Sequence, residues 1–313
     1  MKIFIEIPTW LGDAVMATPA IENIIKINPS AKLTIFGSFV ATKLFIHHLN
    51  VERIIIDDSK KEGFRYLNLF NLAKSAGKFD IAFSFRKNFT TKFLFWFLNS
   101  AKKYIYKRFD KELNTHQVIR YNDFINQSLN ISTKPDKLKI YKADNSKLNI
   151  QNSKLKLGIN PGATYGSAKR WYPQEFAKVA IELSNKYDIK IFGGPGETDI
   201  ASDIENELKN ANITNYENLA GKTSVEELIE QISNLDLFIT NDSGPMHVAA
   251  AFGVKTVAIF GPTRHIETHQ WMNEEEILIR KEMQCAPCMK RVCPLKHHDC
   301  MKLITAKDVL DAI

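Results

Sequence analysis

Thr240-Asn241-Asp242-Ser243-Gly244-Pro245-Met246-His247 is the stretch whose reading decides the fold. A mostly apolar run, Leu235 to Ile239, leads into it, and the small apolar segment Val248 to Phe252 follows. The first reads as a buried strand, the second as the start of a helix. A polar, glycine-bearing turn from strand to helix is where α/β proteins hold phosphates and sugars. Helix N-terminal N–H groups point outward there, and the helix dipole favours negative charge. Asp242, Ser243 and His247 add side-chain donors and acceptors at the same place.

The same alternation extends in both directions. In the first half, strands are expected at Lys2–Ile7, Leu33–Phe36, Arg53–Ile56, Ile81–Phe85 and Lys103–Tyr106. Helices are expected at Ala14–Ile27, Ala41–Leu49, Tyr66–Ala76, Asn88–Leu98 and about Asn114–Ser128. Residues 131–156, rich in Lys, Asn and Ser, break the pattern and read as an edge strand plus a linker; Asn145-Ser146-Lys147-Leu148 returns within them as Asn152-Ser153-Lys154-Leu155. Strands then resume at Lys156–Asn160, Ile189–Phe192, Tyr216–Leu219, Leu235–Thr240 and Thr256–Phe260, with helices between and a last one capped by Thr305. The fold class is therefore α/β, two Rossmann-like doubly wound domains facing a cleft, with boundaries at 1–150 and 151–313. The last helix is placed so that it can pack back on the N-terminal domain.

Hydrophobic content of 44% and charged content of 25% suit a globular protein, and no apolar run approaches the length of a membrane span. The chain opens on a strand-like run without a cationic leader, so a cytoplasmic location is expected. The net charge of +7 is uneven: Arg86 to Arg120 holds nine Lys/Arg against Asp110 and Glu112. Such a segment is either a solvated face or the footprint of an anionic partner. Its aromatics Phe93, Phe95, Trp96 and Phe97 read as core before lipid-facing surface. All four cysteines, Cys285, Cys288, Cys293 and Cys300, sit late, beside His297 and His298. The spacing is tighter than a two-knuckle zinc site, so packing thiols are expected before zinc ligands.

Four turns fall at strand carboxyl ends. In Pro8-Thr9-Trp10-Leu11-Gly12-Asp13, Gly12 permits the tight turn, and Asp13 is either a helix N-cap or a general base. The loop Asn160 to Trp171 is rich in small residues, among them Thr164, and ends in Lys169 and Arg170, cations suited to a diphosphate. Gly193-Gly194-Pro195-Gly196-Glu197 sets a carboxylate where a ribose could be held, though it is no dinucleotide fingerprint. The Thr240–His247 turn is the fourth; its His247 has a packed core histidine as the alternative reading.

Trp10-Leu11-Gly12-Asp13, Pro161 to Trp171, Thr240 to Ala251 and Gly261-Pro262-Thr263 together resemble glycosyltransferase family 9, the bacterial heptosyltransferases. The resemblance covers nearly the whole chain, and the cysteine segment from Cys285 to Cys300 looks like one found in many members. It implies a GT-B fold with an acceptor-binding first domain and a nucleotide-sugar-binding second domain. It implies transfer of L-glycero-D-manno-heptose from ADP-heptose to the inner core of a lipid A-linked oligosaccharide. Asp13 maps onto the family's proposed base and Lys169 onto its diphosphate contact, while Asp242, Ser243, Gly244 and His247 map onto the turn that holds ADP. Glu197 would take the ribose, and Thr164 and Arg170 complete the donor set. Pro245 stands where the family usually has a bulkier apolar residue.

Trp10, Gly12, Arg86, Lys87 and Lys92 are the expected acceptor contacts. The expected partners are ADP-heptose as substrate, a phosphorylated lipid A-core acceptor and the cytoplasmic face of the inner membrane, with no nucleic acid. No cofactor is expected, because fixed cations can offset charge on the departing ADP. Two other readings fit parts of the chain. One is a GT-B transferase using another donor, such as a uridine nucleotide sugar. The other, a basic zinc-containing nucleic-acid-binding protein, explains none of the four turns.

Overall fold

Apolar strands alternating with amphipathic helices build two parallel sheets. The computed structural model describes residues 1–107, 114–143 and 154–313, and the chain divides into compact units at 1–143 and 144–313. Of the basic segment, Arg108 and Lys111 lie outside the described residues, as do Asn145–Leu148 and the start of their repeat.

In the first unit, β1 (Lys2–Glu6), β2 (Lys32–Gly37), β3 (Val51–Ile56), β4 (Lys78–Ser84) and β5 (Asn99–Ile105) form a parallel sheet in the order β3-β2-β1-β4-β5. The order reverses between β1 and β4, and that switch point is where α/β sheets bind ligands. Ile3 and Ile5 of β1 are fully buried, as expected of a strand covered on both faces.

The single helix expected over Ala14–Ile27 is two: α1 (Leu11–Met16) and α2 (Thr18–Ile27). Pro19 lacks the N–H needed to continue the helix, and the Thr18 hydroxyl donates to the Val15 carbonyl at 2.7 Å. The helices α3 (Phe39–Thr42), α4 (Arg65–Ser75) and α5 (Phe89–Phe97) follow, and then α6 (Gln117–Leu129). The last starts later than expected because His116 is its cap, accepting the Val118 N–H on Nδ1 at 3.2 Å. Residues 131–143 form no strand, contrary to expectation. Side chains meet their backbone groups instead: Asn122 and Asn126 donate to the Thr133 carbonyl, Asn23 donates to that of Lys134, and the Lys139 N–H donates to Thr18.

In the second unit, β6 (Leu155–Asn160), β7 (Tyr187–Ile191), β8 (Tyr216–Asn218), β9 (Leu237–Asn241), β10 (Thr256–Ile259) and β11 (Glu276–Ile279) give the parallel order β11-β10-β9-β6-β7-β8. The switch point lies between β6 and β9. The short edge strand β11, four residues preceded by acidic ones, has no counterpart in the sequence reading. The helices are α7 (Pro173–Leu183), α8 (Thr198–Asn210), α9 (Val225–Ser233), α10 (Gly244–Ala251), α11 (His265–Thr268), α12 (Asp299–Lys302) and α13 (Ala306–Leu310). Thr305 caps α13 as expected, and Val309 joins the second unit's core with Val179 and Trp171. No helix among the described residues is long and apolar enough to cross a membrane.

Candidate functional site

The second unit gathers its polar groups at the carboxyl ends of β6 and β9. Asn160 ends β6 and Asn241 ends β9. The Asn241 side chain donates to the Pro161 carbonyl at 2.7 Å and accepts the Trp171 N–H at 3.0 Å. Asn160 donates to the Thr240 and Ser243 hydroxyls, each at 3.3 Å. These two amides tie the Asn160–Trp171 loop to the turn before α10. Both were missed as functional positions; the signal, an amide at each strand end, was in the quoted motifs.

Lys169 and Asp242 come together. The ammonium lies 2.5 Å from Asp242 Oδ2 and 3.2 Å from the Asp242 carbonyl. The same carboxylate oxygen accepts the Thr263 hydroxyl at 2.6 Å, which gives Gly261-Pro262-Thr263 a physical role. Lys169 also lies over the Tyr165 ring at 5.0 Å, with the Arg291 guanidinium 5.4 Å from the same ring. Asp242 is buried, and a buried carboxylate of this kind depends on its cation and hydroxyl partners. The ammonium is thus held at the entrance to α10, where Gly244 opens the first turn and Ser243 caps it without a side-chain bond.

His247 lies in α10 and is buried, and its Nδ1 has no hydrogen-bond partner among the described residues. Burial lowers its pKa to about 4, Asp242 opposes that shift, and Lys169 adds to it, so the ring is neutral near pH 7. The sign follows from linkage. The unfolded imidazole protonates near its ordinary 6.5 and the folded one only near 4, so this contribution to stability is full above 6.5 and is lost as pH falls towards 4. Denaturant unfolding across that window should show uptake of about one proton on unfolding, and His247→Gln should remove it. An unchanged slope in the variant would assign the proton elsewhere.

Thr164 is exposed in the same loop and Arg170 is half-buried, with its Nε unpartnered. Glu197 accepts the Gly194 N–H at 2.9 Å. A side chain at Gly162 would run into the Glu197 carboxylate, so the two turns are in close contact. The cysteine segment straps the Lys169 loop. His298 Nε2 lies 2.9 Å from the Ala168 carbonyl, and the Arg291 carbonyl accepts the Ala168 N–H at 3.0 Å. A Cβ on Gly166 would sit 2.3 Å from that Arg291 oxygen, which is why glycine stands there. All four cysteines are free thiols lining one small pocket with His297, whose Nε2 is 4.0 Å from Cys285 Sγ. Burial and the other three thiols push Cys300 up to about 11. Among the described residues no group of three or more His, Cys, Asp or Glu is arranged to hold a metal ion.

In the first unit, Trp10 occupies the cap position of α1 and is exposed, Gly12 is buried, and Asp13 is the third residue of the helix. The N-cap alternative for Asp13 therefore falls to Trp10. Burial and then the Asp13 charge raise the pKa of the Tyr121 hydroxyl. Lys87 and Lys92 are exposed. Arg86 turns inward instead: its Nη1 lies 3.2 Å from Glu6 Oε1 and 3.7 Å from Asp57 Oδ2. Glu6 also accepts the Ser84 and Thr91 hydroxyls, and burial raises its pKa against the pull of Arg86. The Arg86 charge thus balances a buried carboxylate at the ends of β1 and β4.

Residues 67–298 match the model of glycosyltransferase family 9 (heptosyltransferase). The lipooligosaccharide heptosyltransferase 2 of Campylobacter jejuni is 44% identical, over 99% of this chain and 97% of its own. Among solved structures, a family 9 glycosyl transferase from Veillonella parvula superposes with a TM-score of 0.85 at 23% identity, covering 99% of this chain and 95% of that one. The Escherichia coli ADP-heptose LPS heptosyltransferase II superposes with a TM-score of 0.81 at 21% identity, covering 100% and 97%. At these identities the likeness is one of fold, and the fold is GT-B, built of two Rossmann-like domains.

Proposed function

The chain belongs to glycosyltransferase family 9, and we propose that it transfers L-glycero-D-manno-heptose from ADP-heptose to the heptose-bearing inner core of a lipooligosaccharide, adding the second heptose. The name and full-length coverage of the Campylobacter jejuni relative support the choice of transferred sugar and step. The observation that carries the chemistry is the Lys169–Asp242 pair at the start of α10, on the switch point of the second unit's sheet.

In this reading Lys169 and the first-turn N–H groups of α10 take the diphosphate, and Asp242, fixed by Thr263, aims the ammonium. Thr164, Arg170, Glu197, Ser243, Gly244 and His247 complete the donor site. Asp13 accepts the proton of the attacking hydroxyl, and the displacement inverts the anomeric centre. Trp10, Gly12, Lys87 and Lys92 meet the acceptor. A fixed ammonium supplies the charge stabilisation, so no divalent metal is required, and transfer should persist in chelator. The protein works in the cytoplasm, at the inner membrane face where a lipid-linked acceptor resides.

Lys169→Ala should weaken ADP binding by about 1–3 kcal/mol, the range for a charged hydrogen bond. Calorimetric titration with ADP measures this, beside a melting curve, since the change also leaves Asp242 without its cation. Unchanged ADP affinity in a folded variant removes the diphosphate role. The whole reading is tested by offering purified protein ADP-heptose or a uridine nucleotide sugar together with a mono-heptosylated core acceptor. A mass gain of one heptose from ADP-heptose alone is expected; transfer from the uridine donor instead would sink the assignment.

A further inference from the structure

The outward faces of α4 and α5 carry exposed apolar side chains that no role above uses. Phe64 is 69% exposed, Leu67 55%, Phe89 67% and Trp96 81%. Phe64 and Phe89 are the outer edge of one aromatic seam, and the Phe64 ring meets that of Tyr66 at 5.8 Å. The Tyr66 ring meets Phe89 at 5.9 Å and Phe93 at 5.0 Å, and Phe97 meets Phe93 at 5.0 Å and Phe70 at 4.9 Å. Phe89, Lys92 and Trp96 fall at helical spacing on a single exposed stripe of α5. A helix face turned to water ordinarily carries charge at such positions, and clustered exposed rings mark a contact surface.

The charge pattern selects the contact. Neither helix has an acidic residue, whereas Arg65, Lys74 and Lys92 lie on them and Lys87 just precedes α5. Lys74 sits over the Phe70 ring at 5.6 Å, at the rim of the seam. In the second unit the surface helix α8 is the opposite, with Asp199, Asp203, Glu205 and Glu207. Exposed rings fringed by Arg65, Lys74, Lys87 and Lys92, with Glu62 before Phe64 as a bordering carboxylate, match an anionic bilayer interface, where rings sit at headgroup depth and ammonium groups meet lipid phosphates. We propose that the α4–α5 face docks this protein on an anionic phospholipid bilayer, with Phe64, Leu67, Phe89 and Trp96 entering the interface. The proposal deepens the heptosyltransferase reading, which supplies the lipid-linked acceptor, but its argument uses only this surface.

Flotation of the full chain with vesicles of phosphatidylglycerol and phosphatidylethanolamine tests it, against vesicles of phosphatidylcholine. Binding to the anionic vesicles, weakened by salt, is expected. The exposed pair Phe89→Ala/Trp96→Ala should lower partitioning about tenfold or more, from the apolar area withdrawn. Brominated lipid should quench tryptophan emission, and Trp96→Phe should remove most of that quenching. Failure of the wild type to float, equal flotation of the double variant, or self-association lost in the double variant without flotation would each overturn the proposal. Transfer to a deacylated, water-soluble acceptor should be the same in the double variant and the wild type. Intact flotation without transfer to any acceptor would defeat the functional reading and leave the docking face standing.

Discussion

Asp13→Ala should lower turnover by about 10²–10⁴, the range over which a positioned general base acts, and leave ADP affinity nearly unchanged. The expectation comes from where Asp13 is held. Strand β1 leads into α1 through a turn capped by Trp10, and the carboxylate leaves the third helical position, where its charge acts on the buried Tyr121. Removing it costs the first turn of α1 one favourable charge on the helix dipole, about 0.3–1 kcal/mol, too little to unfold the unit. Single-turnover transfer, ADP titration and a melting curve on one preparation separate the outcomes. Loss of ADP binding together with a large fall in melting temperature would show that Asp13 is structural. Asp13→Asn keeps the shape and removes the basicity, so it should match Asp13→Ala in rate and lose in melting no more than that helix-dipole contribution.

The sequence exposes spacing but not pairing, and the residues divide along that line. Strand–turn–helix alternation was legible because apolar runs such as Leu237–Ile239 and the glycine-bearing turns after them have few other uses. Lys169 and Asp242 were each legible as donor-site residues, but their ion pair was not, because nothing local links a loop before α7 to the end of β9. Arg86 shows the same blindness with the opposite result. Inside a basic run it reads as an acceptor contact, yet its partners Glu6 and Asp57 arrive from β1 and the end of β3. The stretch 131–156 reads as an edge strand plus a linker because the pattern cannot show that Asn122, Asn126 and Asn23 already hold the Thr133 and Lys134 carbonyls. Exposure is equally hidden: the α5 aromatics read as core, and Phe95 is, but Trp96 is not.

Trp171→Ala should destabilise the second unit by about 3–5 kcal/mol, the cost of emptying a buried aromatic site. The indole is fully buried, packs edge-on against Phe176 at 4.8 Å, and donates from Nε1 to the Ile304 carbonyl at 2.9 Å. Its own backbone N–H is held by Asn241. One residue therefore ties the end of the loop that carries Lys169 to two places, by its backbone to the end of β9 and by its side chain to the segment entering α13. Trp171→Phe separates packing from hydrogen bonding: it refills most of the volume but leaves the Ile304 carbonyl unpaired, a cost of about 1–3 kcal/mol. Denaturant unfolding of both variants should rank them in that order. ADP affinity should fall in Trp171→Ala even where the protein remains folded, because the ammonium of Lys169 is positioned from this anchor as well as from Asp242. A variant with wild-type stability would mean that the cavity collapses without strain; one that loses stability but binds ADP normally would show that the loop is held by Asn241 and the His298 strap alone.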